Sequence, residues 1–113
     1  MNILILEDSK ERMVEFRKRL REHTIYHAET AREAVSFLRS KQIDVAFLDH
    51  DLGGEAFQTP GKDTGYGVAK WIENHLEFCP KQVVIHSLNA YASKMMQACI
   101  PGSQLVPFAW TKL

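Results

Sequence analysis

Short apolar runs alternate along the chain with stretches whose apolar side chains recur every third or fourth position. Ile3-Leu4-Ile5-Leu6 is a continuous apolar run, the signature of a strand buried on both faces of a parallel sheet. Ser9 caps a predicted helix from Lys10 to about Glu22, with Met13, Phe16 and Leu20 on one stripe. Thr24 to Ala28 reads as a second strand. Thr30 and Glu33 then form a capping box for a helix carrying Ala34, Val35 and Leu38. Ile43 to Leu48 is the third strand, and it runs directly into Asp49-His50-Asp51.

Leu52 to Lys62 holds Gly53, Gly54, Pro60 and Gly61 and reads as a long loop, a length that inside a small domain points to function. Asp63 or Thr64 starts a third helix with Val68, Ile72 and Leu76 on one side, and Pro80 closes it. Val83-Val84-Ile85 is a fourth strand ending at His86-Ser87. Asn89 caps a helix carrying Tyr91, Met95, Ala98 and Cys99, and Pro101-Gly102 breaks it. Gln104 to Phe108 reads as a fifth strand. Five apolar strands alternating with four helices imply one α/β sandwich built on a parallel sheet, a single domain over 1–113.

Composition narrows the function. Fourteen basic and 14 acidic residues cancel, which argues against nucleic-acid binding by bulk charge and against a basic membrane-surface module. No apolar run is long enough to span a bilayer, and no secretory signal is visible, so a cytoplasmic protein is expected. Cys79 and Cys99 fit no metal spacing and are expected to be reduced. Walker loops, GxGxxG, HExxH, nucleophile elbows and CxxC pairs are missing.

In a parallel sheet, chemistry collects beyond the carboxyl ends of the strands. Those ends carry Glu7 and Asp8, then Asp49, His50 and Asp51, then His86, Ser87 and Asn89. Several carboxylates in one cleft repel one another unless a cation sits among them. Such oxygen-rich sets suit a divalent cation, Mg²⁺ or Mn²⁺, and neighbouring imidazoles shift the preference towards Mn²⁺ or Zn²⁺.

Glu7-Asp8 after the first strand, Asp49 after the third and Ser87 after the fourth resemble the receiver domains of response regulators over nearly the whole chain. The resemblance implies a flavodoxin-like three-layer sandwich with strand order 2-1-3-4-5. It also implies Mg²⁺ held by the acidic pair and Asp49, with Asp49 as phosphoryl acceptor and Ser87 touching the phosphoryl group. Two departures stand out: Val106 occupies the place of the fifth-strand Lys, and the chain ends at Leu113 without room for a fifth helix. The strings Leu48-Asp49-His50-Asp51-Leu52, Asp63-Thr64-Gly65-Tyr66 and Ile85-His86-Ser87-Leu88-Asn89 resemble a divergent group, the cyclic-phosphate-processing receiver domains. Membership implies binding or hydrolysis of cyclic phosphates, in cyclic nucleotides or at RNA ends.

Each candidate has a plainer alternative. Asp8 and Asp49 are metal ligands or helix-capping acids. Glu7 is a third acidic ligand, or a solvent-facing neighbour, since strand alternation aims it opposite Asp8. His50 and His86 are proton-transfer groups beside the cation or ordinary histidines. Alternation sets His86 and Ser87 on opposite faces as long as the strand continues. Asp51 offers its carboxylate or, as receivers do, its backbone carbonyl. Asn89 is a second substrate donor or the next helix's N-cap, and Thr64-Gly65 offers backbone N–H groups to an anion or is a plain junction. Lys10 and Arg12 could steer a phosphate towards the cleft. Trp71, Met95 and Met96 read as core or interface.

The expected function is metal-dependent binding and hydrolysis of a cyclic phosphate. Asp8, Asp49, Asp51 and Glu7 would be around the cation, His50, His86 and Ser87 would be catalytic, and Asn89 and Thr64 would be on the substrate. The partners expected are a small phosphorylated ligand or an RNA end, with no membrane. Alternatives are a non-catalytic phosphate-binding module, an atypical phosphorelay receiver and a protein-interaction piece.

Overall fold

A computed structural model describes all residues, 1–113. Its five strands are β1 (Asn2–Leu6), β2 (Thr24–Ala28), β3 (Val45–Leu48), β4 (Gln82–Ile85) and β5 (Gln104–Leu105). They form one parallel sheet in the order β2-β1-β3-β4-β5. The helices are α1 (Lys10–Arg19), α2 (Ala31–Ser40), α3 (Gly65–Glu73) and α4 (Ala90–Cys99). No helix is long and apolar enough to cross a membrane.

Alternation along the strands divides the apolar core between the two faces of the sheet. Leu4, Leu6, Ala46, Leu48, Val83 and Ile85 pack under α2, α3 and α4 through Ala34, Leu38, Val68, Ile72 and Met96. Ile3, Ile5, Val45, Phe47 and Val84 meet Met13 and Phe16 of α1 and Leu20 just after it, together with Trp110. A single 3-10 turn, Ala109–Thr111, follows β5 and brings Trp110 onto that second face.

Several element ends differ from the sequence-based expectation. α1 stops at Arg19 rather than near Glu22, because Leu20 leaves helical geometry and a turn closed by His23 N–H to the Leu20 carbonyl leads into β2. Ile43 is buried but unpaired, so β3 begins at Val45; Asp44 instead accepts the Asn2 N–H at 2.8 Å. α3 ends at Glu73, and Leu76 lies in an exposed 3-10 turn, Leu76–Phe78. The Asn74 side chain, hydrogen-bonded to the Lys70 carbonyl, stops that helix early. β5 runs only to Leu105, with one further ladder bond from Val106 N–H, since Pro107 has no N–H to continue it and Phe108 adopts a φ of 61°. The buried stripe of α4 is Ala92, Met96 and Cys99, one step away from the bulkier Tyr91, which is exposed. Both cysteines are free.

Candidate functional site

Three strands extend their pairing one residue past their last regular position. Glu7 N–H bonds the Ala28 carbonyl, Asp49 N–H the Leu6 carbonyl and His86 N–H the Leu48 carbonyl, at 3.0, 3.1 and 3.0 Å. The register pairs Leu6 with Leu48 and Leu48 with Ile85, so Glu7, Asp49 and His86 form the next row across the sheet. Parity puts all three on the α1 face, continuing Ile5, Phe47 and Val84. This overturns the solvent-facing alternative for Glu7, whose side chain is fully buried.

Within the row, Glu7 Oε1 accepts a hydrogen bond from His86 Nε2 at 3.1 Å, and Glu7 Oε2 accepts one from Ser9 N–H at 3.0 Å. The Phe16 and Trp110 rings pack edge-on against the His86 imidazole, and His86 Nδ1 has no partner. Burial works against the Glu7 charge, but the His86 hydrogen bond and charge, Ser9 N–H and Arg12 outweigh it and hold its carboxyl below the usual range. Asp49 goes the other way. Burial, reinforced by the Glu7 charge, pushes its carboxyl up to about 6 despite His86, the His50 N–H and Arg12. Ligand atoms of Glu7, Asp49 and His86 all lie within 4.8 Å of one another.

Above the row a cleft of about 600 Å³ opens, lined by Asp8, Asp49, Asp51, Lys10, Arg12 and the loop from Gly54 to Phe57, with Leu88 at its edge. A larger concavity, about 770 Å³ between α2 and α3, holds none of the strand-end acids. Asp8 lines this cleft and accepts the Gly54 N–H. Gly54 sits at a φ of 81°, a conformation that side chains resist, which leaves its N–H free to meet Asp8.

Asp51 holds the loop. Its Oδ1 accepts from His50 Nδ1 at 2.8 Å, Gln58 N–H at 3.0 Å and Asn89 Nδ2 at 3.2 Å, and its Oδ2 accepts from Phe57 N–H at 2.7 Å. Burial opposes the charge, yet these donors hold the carboxyl below its ordinary range. Gln58 adds a two-way clasp to the Leu52 backbone, at 2.9 and 2.6 Å. The carboxylate of Asp51 is thus committed to the fold.

The remaining candidates separate. His50 has the parity of Ala46 and Leu48, lies buried on the other side of the sheet and leaves Nε2 without a partner. It does not share the cleft with Asp8 and Asp49. Ser87 Oγ accepts the Asn89 N–H at 3.0 Å, a local turn at the start of α4. Asn89 combines two roles, capping α4 through Oδ1 to Ala92 N–H while its Nδ2 reaches Asp51 and the Gln58 carbonyl. Thr64 is turned away from the cleft, its hydroxyl donating to the Gly61 carbonyl and accepting the Gly61 N–H. Gly65 has a packing cause, since a Cβ there would fall 1.9 Å from the Asp49 carbonyl oxygen.

Sequence reasoning gave Arg12 only a weak steering role. Its Nη1 lies 3.7 Å from both Glu7 Oε1 and Asp49 Oδ2, and its guanidinium carbon sits 4.6 Å over the Trp110 ring. The signal available was its position one helical turn past Asp8, on the side of α1 that carries Met13 and Phe16.

A family model for the cyclic-phosphate processing receiver domain matches residues 2–101. Among solved structures, response regulator TrrA from Thermotoga maritima in complex with Mg²⁺-BeF is 20% identical, with a TM-score of 0.70 over 98% of this chain and 90% of that one. The Mn²⁺-bound form of response regulator Rcp1 is 19% identical, with a TM-score of 0.72 over 93% and 79%. A CheY-like receiver domain protein from Methanospirillum hungatei is 15% identical, with a TM-score of 0.70 over 98% and 85%. These likenesses establish the fold. No curated protein sequence matches the chain.

Proposed function

The chain belongs to the cyclic-phosphate processing receiver domain family, and from that premise we propose that its cleft binds a divalent cation and a phosphate-bearing ligand and hydrolyses a cyclic phosphate. The observation that carries this reading is Asp49, a buried carboxylate pressed against Glu7 and opening with Asp8 onto one cleft. Such an oxygen donor set fits a hard cation, and its unfavourable charge is what a cation would relieve. Asp8, Asp49 and the Asp51 backbone carbonyl would hold it, with Glu7 behind them. Mg²⁺ or Mn²⁺ there would polarise the phosphoryl oxygens. The Mg²⁺-BeF complex of TrrA and the Mn²⁺ form of Rcp1 support a cation in this fold without fixing which one.

The chain's own residues supply the rest. Water adds to phosphorus, one ring P–O bond breaks, and a proton reaches the leaving alkoxide, so the product is an open monoester. Glu7 and His86 form a hydrogen-bonded pair beneath Asp49, closed off from the cleft, so they would take and return that proton only through the Asp49 carboxyl. His50 acts as a positioning residue that fixes Asp51. Ser87 and Asn89 hold the start of α4 beside the cleft, and Thr64 does the same for α3. Phe57, 77% exposed at a φ of 55°, and the exposed Leu88 give the rim apolar surface that suits a nucleoside attached to the phosphate.

Binding without hydrolysis is the second reading, and the complete burial of His86 favours it. The test is incubation with Mn²⁺ and 2′,3′-cyclic nucleotides or cyclic-phosphate-ended RNA. Release of a monoester by the native protein and not by Asp49→Asn supports hydrolysis. Metal-dependent binding without product identifies the binding module. A stable mass gain of one phosphate from a small phosphodonor would point to phosphorelay, and no metal-dependent binding at all overturns every version.

A further inference from the structure

The cleft lining is short of positive charge. Asp8, Glu11, Asp49, Asp51 and Glu55 face only Lys10 and Arg12, and neither β5, Gln104 and Leu105, nor Val106 after it contributes a cation. A phosphate entering here meets more negative than positive side chains even with a divalent ion present, so recognition needs a positioned cationic donor. Of the two candidates, Lys10 is exposed at the first position of α1. Arg12, two residues further on, reaches Glu7 and Asp49 in the row, and its side chain keeps 31% of its surface open.

Three observations set Arg12 apart. Its guanidinium carbon lies 4.6 Å over the Trp110 ring, a cation–π contact that holds the fork above the indole. Its contacts to Glu7 and Asp49 are both 3.7 Å, attractive but beyond hydrogen-bond length, so the N–H donors remain uncommitted. Trp110 is in turn anchored against Phe16 and His86, so the platform under the guanidinium is part of the core. A planar donor array, held in place by the indole and not yet satisfied, matches two oxygens of a phosphoryl group.

We propose that Arg12, held over Trp110, is the residue that grips the phosphoryl oxygens of a ligand bound at Asp49. This rests on the reading that the cleft takes a phosphate-bearing ligand. Without ligand, Arg12 balances the Glu7 and Asp49 charges from the cleft side. When a divalent cation takes over that balancing, the guanidinium is released towards the incoming anion while Trp110 keeps its orientation.

The test separates cation binding from anion binding. Calorimetry or amide-shift titration would follow Mg²⁺ alone and then inorganic phosphate at saturating Mg²⁺, for the native protein, Arg12→Gln, Arg12→Lys and Trp110→Leu. The expected result for Arg12→Gln is unchanged or tighter Mg²⁺ binding with phosphate binding weakened about ten-fold or more. Arg12→Lys should recover part of that loss, and Trp110→Leu should weaken phosphate with Arg12 still present. Phosphate affinity in Arg12→Gln within about two-fold of native overturns the proposal, and so does a parallel loss of Mg²⁺, phosphate and thermal stability. A native protein that binds no Mg²⁺ overturns the underlying reading instead, and this inference falls with it. The glutamine variant keeps the stem on Trp110, so a folded protein is expected in that arm, and a thermal melt confirms folding of Trp110→Leu before its phosphate affinity is read.

Discussion

Glu7 and His86, 79 positions apart in the chain, meet 3.1 Å from each other with no exposed surface on either side chain. Neither could be buried alone at modest cost. An ionised carboxylate needs donors, which His86 and Ser9 N–H provide, and the imidazole needs the carboxylate to satisfy one ring nitrogen.

The first prediction concerns that pair. His86→Leu leaves the Glu7 carboxylate buried without its main donor and should cost about 3 kcal/mol of stability. The double variant Glu7→Leu/His86→Leu should be close to the native protein, because an apolar pair replaces a desolvated polar one. Urea denaturation of the two singles and the double, read as a cycle, checks this. Additive losses would show that the two side chains do not act on each other.

Asp49 supplies a pH dependence. Its native carboxyl titrates near 6, above the ordinary value of 3.8, so the folded protein binds that proton more tightly than the unfolded chain. Its contribution to stability is therefore fully present below the ordinary carboxylate range and is lost as pH rises through about 6. Asp49→Asn should stabilise the metal-free protein at pH 8 by about 2 kcal/mol and remove the stabilisation that Mg²⁺ gives the native chain. Thermal melts from pH 5 to pH 8, with and without Mg²⁺, test both halves; a variant that melts lower at pH 8 would contradict the first.

A third expectation follows from Asp51. Asp51→Ala removes the acceptor for Phe57 and Gln58 N–H, His50 Nδ1 and Asn89 Nδ2. The loss should be about 3 kcal/mol, with the Phe57 and Gln58 amides exchanging far faster while the β1 and β3 amides stay protected. Uniform loss of protection would mean that the loop is not a separable unit.

Much of this was legible in the sequence. Ile3 to Leu6, Val83 to Ile85 and the Met13, Phe16, Leu20 stripe announced the buried strands and α1 from periodicity alone. The row was legible in principle, since Glu7, Asp49 and His86 share parity with Ile5, Phe47 and Val84. What hid it was the single extra ladder bond on each strand, which decides whether parity still applies at the acids and at His86-Ser87. The roles of Asp51 and Arg12 were out of reach for another reason. Asp51 is spent on partners six, seven and 38 positions away, and Arg12 rests on Trp110, almost the whole chain further on.

The shared row also acts as a check on misfolding. Were β3 to slide one position against its neighbours, Asp49 would swing under α2–α4 among leucines and alanines, and His50 would be pushed in beside Glu7. Such a chain would strand Asp49 in hydrocarbon, away from the Arg12 guanidinium. The alignment that assembles the cleft is thus the one in which these charges can coexist, and the sheet excludes its nearest mistaken pairing by electrostatics as well as by shape.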